Sequence, residues 1–389
     1  MTPYTDLLFG GLALYVVLPA IALGMAGRLR WSWVLPSTLA MFVVQLALTP
    51  GRTTAVAWHA VAAGAGWTLW QWAWAQVALR LRGDARRWRV WCLVGMALAP
   101  LLLLKFSAAA GVHQLVGFLG ISYVTFRAVD VQLAIHDGLV TTLPVSRYLA
   151  FVLFFPTISA GPIDRYRRFV KDLETPPTRQ AYRALLDEAV HRAFIGVLLK
   201  FVLAAAVRRW WLEPLTDQRG AWATLSYMYA YSAYLYCDFA GYSAFAESLS
   251  RVFGIRTPAN FNQPWRARDL NEFWNRWHIS LSSFLRDHVY MRFVMAARRR
   301  DWFRSRAIVS AIGLVLTFGA MGVWHGTARH FVVYGLYHAV LLIALEWWRR
   351  RHPRNQADAD ARLLPRLAAM VLTAHAAAFG FLIFSGRLF

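Results

Sequence analysis

The sequence predicts an all-α protein that lies in a membrane and crosses it many times. Hydrophobic residues make up 58% of its 389 positions and charged residues only 16%, whereas ordinary soluble domains contain about 25% charged residues. Eight stretches contain no Asp, Glu, Lys or Arg, and several reach the roughly 20 apolar residues that a helix needs to cross a bilayer. These stretches are residues 7–27, 31–51, 53–79, 90–104, 106–126, 221–237, 307–328 and 367–386. Eight of them exclude a soluble fold, a disordered chain and a secreted disulfide scaffold.

The basic residues lie where a membrane protein carries them. There are 42 Lys and Arg against 20 Asp and Glu, a net charge of +22, which in a soluble protein would suggest nucleic acid as partner. Here they cluster at the ends of apolar stretches, so we expect membrane lipids and no nucleic acid. The clusters are Arg28 with Arg30, then residues 80–89, 165–183, 298–306 and 349–366. By the positive-inside rule these loops face the cytoplasm, and the N-terminus and the turns at Arg52 and Arg329 lie outside.

The N-terminal third, as far as Lys105, is predicted to form four crossing helices joined by short loops. Lys105 is expected on the outer side of the membrane, and the basic loop that begins near Arg165 on the inner side. The chain must therefore cross the membrane an odd number of times between them, yet this region contains two apolar segments. One of the two must therefore be re-entrant or lie along the membrane. Pro156 and Gly161-Pro162 interrupt this region, and such breaks are tolerated at membrane depth only where protein or a wet cavity covers the freed backbone groups.

The stretch from Trp265 to Arg292 carries eight charged residues, too many to face lipid. Its pattern is nevertheless helical, because Asp269 and Glu272 resemble a capping box and two sets of residues recur every three or four positions. The apolar set is Trp274, Trp277, His278, Leu281, Leu285 and His288, and the polar set is Arg276, Ser280, Ser283 and Asp287. We expect one helix that other helices enclose, with its polar side lining a cavity.

Two of the eleven histidines are candidates for chemistry. His278 lies on the enclosed helix. His325 lies between Trp324 and Gly326 near the end of an uncharged stretch, where a substrate can approach the imidazole from the glycine side. An imidazole with an ordinary pKa of about 6.5 suits proton abstraction at neutral pH. A helix-end histidine bonded to a backbone carbonyl stays open as the alternative for His325, and we expect His338 to be a packing residue.

Asp238 follows an aromatic run within the membrane region and must be paired or hydrogen-bonded there. We expect its partner to be an arginine of the enclosed helix and the pair to be structural. No cluster of His, Cys, Asp or Glu has the spacing of metal ligands, and we expect no metal.

Ordered motifs between residues 119 and 345 resemble those of the membrane-bound O-acyltransferases (MBOAT family). They are LGISYVTFR at 119–127, FFPTISAGPIDRY at 154–166, DFAGYS at 238–243, NFN at 260–262, FWNRWH at 273–278 and WHG at 324–326. Within the family, GPIDRYRRF at 161–169, VYMRF at 289–293 and the short chain are most similar to the DltB branch, the D-alanyl transfer proteins.

The resemblance implies a single membrane domain over residues 1–389, with N-terminal helices to 105, a catalytic core from 106 to 345 and a C-terminal loop and helix from 346. It implies a ring of about 10 to 11 transmembrane helices around a thin core, with re-entrant or in-plane helices. The two motif histidines, His325 and His278, would be catalytic and lie in a tunnel that joins the two sides of the membrane. The tunnel or substrate residues would include Asp238, Trp274, Arg276, Ser280 and Trp324.

The same resemblance implies a donor and partners. D-alanine would arrive as a thioester on the phosphopantetheine arm of a small acidic carrier protein in the cytoplasm, with no cofactor bound to the chain itself. Met291 and Val294 would contact the carrier, and Arg298, Arg299 and Arg300 would steer it, although an ordinary positive-inside loop explains these arginines equally well. An extracytoplasmic accessory acyl-transfer protein and a small membrane peptide are further expected partners, in a bacterial cell (inner) membrane that the chain crosses many times.

In the reaction so implied, His325 is the general base that deprotonates an acceptor hydroxyl, and His278 orients the reactants or stabilises the oxyanion. The acceptor would be teichoic acid or another envelope glycan. Only three of the 42 basic residues are lysines, which suggests a GC-rich genome, so a Gram-negative host with a different envelope acceptor stays open.

Two other functions are compatible with the sequence. An O-acetyltransferase of the alginate- or peptidoglycan-modifying type would share the histidine motifs but use an acetyl donor. A transporter or flippase would use the same tunnel without chemistry, but many secondary transporters consist of two matching halves, and this sequence has no visible internal repeat.

Overall fold

The computed structural model describes residues 7–47, 54–82, 87–109, 120–352 and 363–389. Within these ranges the chain is helical and has no strand, apart from a single bridge between Phe261 and Trp277. The all-α fold is therefore confirmed. The outer turn expected at Arg52, residue Leu119 of the first motif, and parts of the basic clusters at 80–89 and 349–366 lie outside the described residues.

The described residues form sixteen α-helices, some of which continue into short 3₁₀ or π-helical turns. Helices α1 to α8 are Leu7–Met25, Trp31–Ala47, Thr54–Arg80, Arg87–Ala109, Ile121–His136, Val145–Val152, Tyr166–Glu174 and Arg179–Val197. Helices α9 to α16 are Ala204–Val207, Ala221–Val252, Leu270–Trp274, Ile279–Leu285, Met291–Arg299, Arg306–His325, Arg329–Arg351 and Leu363–Phe384.

These helices divide between two compact units. Unit 1 comprises Met1–Val197 and Gly241–Pro258, and unit 2 comprises Leu198–Ala240 and Ala259–Phe389. Helix α10 therefore contributes residues to both. The single domain with three sections that the resemblance implies stays a prediction.

Five of the described helical segments are long and apolar enough to cross a membrane. They are Leu8–Met25, Arg179–Leu215, Arg306–His325, Arg329–Arg351 and Leu363–Phe384. Three shorter apolar helices are Trp31–Leu46, Trp91–Phe106 and Val145–Thr157. The chain is thus a membrane protein with several apolar helices, while the expected number of ten or eleven crossings stays a prediction.

In unit 1, residues of two motifs bind one another in the core. Arg127 of α5 is 1% exposed and donates hydrogen bonds to the carbonyl oxygens of Phe151, at 3.0 Å, and Val152, at 3.1 Å, and to the Thr157 hydroxyl. A buried guanidinium is tolerated only when acceptors meet it. Here the acceptors come from the end of α6 and the buried turn Phe155–Thr157, so the proline break expected there is covered by protein.

In unit 2, α14 and α15 form a tightly packed hairpin. A Cβ atom on Gly322 would lie 2.4 Å from the carbonyl oxygen of Phe331, and one on Gly335 would lie 2.2 Å from that of Phe318. Both approaches bring backbone against backbone, so any side chain at either position would push the helices apart. This close packing fixes the C-terminal end of α14, where His325 lies.

The expectation of one continuous helix from Trp265 to Arg292 is wrong. Helix α11 ends at Trp274, and a turn leads to His278, whose φ of 43° lies in the left-handed region. A residue in that conformation interrupts a right-handed helix, so α12 begins anew at Ile279.

The start of α11 follows the predicted cap in part. Asp269 Oδ1 accepts a hydrogen bond from the Glu272 N–H at 3.0 Å, as a capping box requires. The Glu272 carboxylate, however, accepts from the N–H of Arg268 and not from that of Asp269. The cap therefore satisfies one N–H inside the helix and one just before it.

Candidate active site

His325 is the last residue of α14, and aromatic rings surround it. Its ring centroid lies 4.6 Å from that of Trp324 and 4.9 Å from that of Phe384. The rings of Tyr334 and Phe331 follow at 6.1 and 6.2 Å. These contacts hold the half-buried imidazole at the C-terminal end of the helix.

His278 is buried in the turn between α11 and α12. Only 4% of it is exposed, and its ring lies edge-on to that of Phe239 at 4.7 Å. Its left-handed backbone costs about 1 to 2 kcal/mol for a residue with a Cβ atom. Such strain persists only where the surroundings over-determine the conformation, and it is common at functional sites.

The structure brings the two histidines together with Trp324. The Trp324 ring centroid lies 6.3 Å from that of His278 and 4.6 Å from that of His325. Both candidate catalytic residues therefore lie in one part of unit 2, although their catalytic role itself stays a prediction.

Unit 2 contains a cavity of about 680 Å³, and neither His278 nor His325 is among the described residues that line it. Its wall includes Ile279, the residue after His278, and Met321, one turn before His325. The buried residues of its wall are apolar apart from Thr317, and the apolar ones are Trp274, Leu281, Leu285, Phe318, Met321 and Leu342. The rim is charged and includes Arg268, Asp269, Glu272, Arg286, Glu346 and Arg349. Its volume is within the range of small-molecule sites, so the cavity can hold a slender ligand with a charged end at the rim.

Ion pairs order the rim. Arg349 of α15 contacts Asp269 at 2.5 Å, and Glu272 pairs with Arg268 at 3.0 Å and with Arg276 at 2.8 Å. Burial favours the neutral form of Glu272, but hydrogen bonds from Arg268 and Arg276 outweigh it and lower the pKa of Glu272 to about 2. Glu272 is therefore a carboxylate at neutral pH.

The expected polar side of the enclosed helix is divided by the break at His278. Ser283 lines the cavity, whereas Arg276 pairs with Glu272 and donates to the carbonyl of Asn262 at 3.2 Å. Among the described residues that form the cavity wall, neither Arg276 nor Ser280 appears. Of the five expected tunnel residues, Trp274 lines this cavity and Trp324 contacts both histidines.

Asp238 has a different partner from the one expected. The Nζ atom of Lys200 lies 2.5 Å from its Oδ1 atom, so the expectation of an arginine from the enclosed helix is wrong. Lys200 is 7% exposed and lies in a π-helical turn, residues 198–203. Asp238 is not among the described residues that line the cavity.

The expected carrier-binding residues lie on and after α13. Met291 and Met295 are exposed, at 40% and 44%, whereas Val294 is buried against α14 beside Val309. Val294 therefore supports the helix and does not belong to its exposed face. Arg298, Arg299 and Arg300, at the end of α13, are exposed.

Asn260 also lies in this site, which its sequence motif did not predict. It is fully buried and contacts the His278 turn through both its backbone and its side chain. Its motif, NFN, was visible, but its contact with a turn eighteen residues away was not. Among the described residues, no group of three or more His, Cys, Asp or Glu lies close enough to hold a metal.

Comparison with known proteins identifies relatives over the whole chain. The family model for MBOAT, the membrane-bound O-acyltransferase family, matches residues 61–369. The chain is 40% identical to the teichoic acid D-alanyltransferase of Bacillus subtilis (strain 168), over 100% of this chain and 99% of that protein. It is also 40% identical to the teichoic acid D-alanyltransferase of Lacticaseibacillus rhamnosus, over 76% of each chain.

A second group of relatives is more distant. The probable alginate O-acetylase AlgI of Azotobacter vinelandii is 32% identical, over 58% of this chain and 43% of that protein. The similarity to the D-alanyltransferases is thus both higher and longer.

Proposed function

This chain belongs to the membrane-bound O-acyltransferase family, and from that premise we propose that it transfers a D-alanyl group from a carrier-protein thioester to a hydroxyl of the cell envelope. That it is a membrane acyltransferase follows from the family and from its full-length relatives. The observation that carries the finer proposal is that two histidines share contacts with Trp324, while Ile279, the residue after His278, and Met321, one turn before His325, line a largely apolar cavity with a charged rim.

The cavity has the character that a phosphopantetheine arm requires. Such an arm is long and thin, with a phosphate at its carrier end and a thioester at its tip. Arg268, Arg286 and Arg349 at the rim suit the phosphate, and the apolar interior suits the chain. The thioester would then end near Ile279 and Met321, next to the histidines.

In the proposed reaction His325 acts as general base. The acceptor hydroxyl gives its proton to the imidazole as its oxygen attacks the thioester carbonyl. The carbon–sulfur bond then breaks, the ester forms, and the imidazolium returns the proton to the leaving thiolate. His278, buried beside Trp324, orients the reactants or stabilises the oxyanion.

We assign carrier docking to the exposed face of α13. Met291 and Met295 offer apolar contact. Arg298, Arg299 and Arg300 supply a positive electrostatic field that attracts an acidic protein. Val294 would act only by holding the helix against α14.

The proposed role of His325 as general base is tested by measuring D-alanyl transfer from loaded carrier by the purified protein. His325→Ala should lower the rate by about 10² to 10⁴-fold and leave carrier affinity near normal, because a general base contributes mainly to the chemical step. His136→Ala is the matched control, since His136 is an exposed histidine of unit 1. Wild-type turnover in folded His325→Ala would end the assignment.

Reversal of charge tests the docking face. Changing Arg298, Arg299 and Arg300 together to Glu should raise the Kd of the carrier and reduce the salt sensitivity of association. An equal loss of carrier binding in His325→Ala would contradict this division of roles.

Offering the protein both carrier-bound D-alanine and acetyl donors tests the choice of donor. The higher and longer identity to teichoic acid D-alanyltransferases supports D-alanine, and teichoic acid as acceptor is proposed on the same ground. Preferential acetyl transfer would favour the alginate-type alternative. Transport across the membrane that needs no acyl donor and survives loss of both histidines would favour the transporter alternative.

A further inference from the structure

Three contacts from the His278 turn converge on Asn260. Its main-chain carbonyl accepts a hydrogen bond from the Ile279 N–H at 3.0 Å. Its side-chain oxygen Oδ1 accepts from the Ser280 hydroxyl at 2.5 Å and lies 3.4 Å from Nδ1 of His278. Asn260 is 0% exposed and Ser280 4%, so no bulk solvent competes for these groups. The amide is therefore held in one orientation.

From this geometry we infer that Asn260 is a positioning residue that fixes the tautomer and the ring plane of His278, with Ser280 holding the amide in place. The Ser280 hydroxyl donates to Oδ1, which makes Oδ1 the atom that faces Nδ1 of His278. A carbonyl oxygen can only accept, so Nδ1 carries the hydrogen and the neutral ring keeps its lone pair on Nε2. The 3.4 Å separation is long, as hydrogen bonds at catalytic groups often are before substrate binds.

The same residue holds the strained backbone of the turn. The left-handed conformation of His278 directs the Ile279 N–H to the carbonyl of Asn260. Backbone and ring are thus fixed by one buried amino acid from a segment distant in sequence. The Phe239 ring, edge-on to the imidazole at 4.7 Å, packs against the ring as well.

The assigned tautomer decides between the two roles proposed for His278, which were to orient the reactants or to stabilise the oxyanion. This inference rests on the proposed acyl transfer. A neutral imidazole with its lone pair on Nε2 cannot donate from Nε2 to an oxyanion. It can accept a hydrogen bond from an N–H or O–H group of a substrate. His278 therefore orients a reactant, and the proton transfer is left to His325.

Four variants of the full chain, assayed with loaded carrier, test this inference. Asn260→Ala should lower kcat by about 10²-fold, as small misplacements at active sites do, with the KM for carrier changed only a few-fold. Asn260→Asp should recover most of the rate, because a carboxylate oxygen also accepts from Nδ1–H. Ser280→Ala should lie between Asn260→Ala and the wild type. Ser250→Ala is the control, since Ser250 is equally buried but donates only to the carbonyl of Ala246.

Nitrogen NMR of protein labelled in its histidine rings gives a second readout that needs no turnover. The His278 signal is identified by its loss in His278→Gln, and we expect the hydrogen on Nδ1 in the wild type and mixed tautomers in Ser280→Ala. A hydrogen on Nε2 in the wild type would overturn the inference, as would an Asn260→Asp enzyme as slow as Asn260→Ala. A wild-type protein that transfers no D-alanine would count against the proposed function alone, because the tautomer is read independently.

Discussion

Alanine at Gly322 should both destabilise the protein and slow acyl transfer. The added Cβ would lie 2.4 Å from the carbonyl oxygen of Phe331, whereas ordinary contact begins at 3.4 Å, so α14 and α15 must separate by about 1 Å. Overpacking of this kind costs about 1 to 3 kcal/mol, partly offset by the roughly 1 kcal/mol by which alanine favours a helix over glycine. Because Gly322 lies three residues before His325, the imidazole moves too, and a displacement of about 1 Å can cost about 10²-fold in rate.

Gly319→Ala is the matched control, because it lies in the same helix and its added Cβ would have nothing within 4 Å. Both variants gain the same helix propensity, so the difference between them isolates the clash with α15. Tryptophan fluorescence during thermal unfolding in one detergent gives the stability, and transfer from loaded carrier gives the rate. If Gly322→Ala unfolds and turns over like Gly319→Ala, the close packing does not position His325.

Two further predictions concern charged pairs. Asp238→Asn leaves the Lys200 ammonium, whose side chain is 5% exposed, without its counter-charge and should cost about 3 kcal/mol of unfolding free energy. Lys200→Met should cost less because Asp238 is 35% exposed, and a double variant no more stable than Asp238→Asn would refute the coupling. Glu272 has a pKa of about 2 in the folded protein against 4.5 ordinarily, so its stabilisation is complete above about pH 4.5 and is lost as the pH falls toward 2. The stability difference between wild type and Glu272→Gln should therefore shrink over that interval, and a constant difference would contradict it.

The membrane fold could be predicted because its cause is local in sequence. A helix in hydrocarbon must satisfy its backbone internally and needs about 20 apolar residues to span the core, so the uncharged stretches reveal it directly. The segments Arg306–His325 and Leu363–Phe384 coincide closely with two of those stretches.

The break at His278 could not be predicted from periodicity. Helices α11 and α12 both bury apolar residues, so Trp274, Trp277 and Leu281 keep a helical spacing through a turn that is not helical. What makes the turn is a segment elsewhere in the chain: Phe261 bridges to Trp277, and Asn260 binds the backbone after His278. Contacts between segments that are separated in sequence do not change the local spacing of apolar residues.

The residue that pairs with Asp238 could not be predicted from the sequence either. That Asp238 needs a counter-charge follows from its apolar surroundings, but any cation of the chain could meet that need. The structure supplies Lys200, one of only three lysines, from a π-helical turn.

The sidedness of α14 decides how donor and acceptor approach the histidines, and it can be tested at the two ends of that helix. Its 20 residues rise about 1.5 Å each, which matches the roughly 30 Å of hydrocarbon that a spanning helix must cross. The basic cluster 298–306 precedes it, so the positive-inside rule puts Trp302 in the cytoplasm and Ala328 outside.

Cysteines introduced at these two exposed positions report their side, in a background where Cys92 and Cys237, both free thiols, are replaced. A maleimide that does not cross membranes should label Ala328→Cys in intact cells and Trp302→Cys only after permeabilisation. The carrier would then dock on the side where α13 ends in arginines, and the acceptor would reach His325 from outside, since this residue ends the helix near Ala328. Labelling of Trp302→Cys in intact cells would reverse the topology, and with it the direction of transfer.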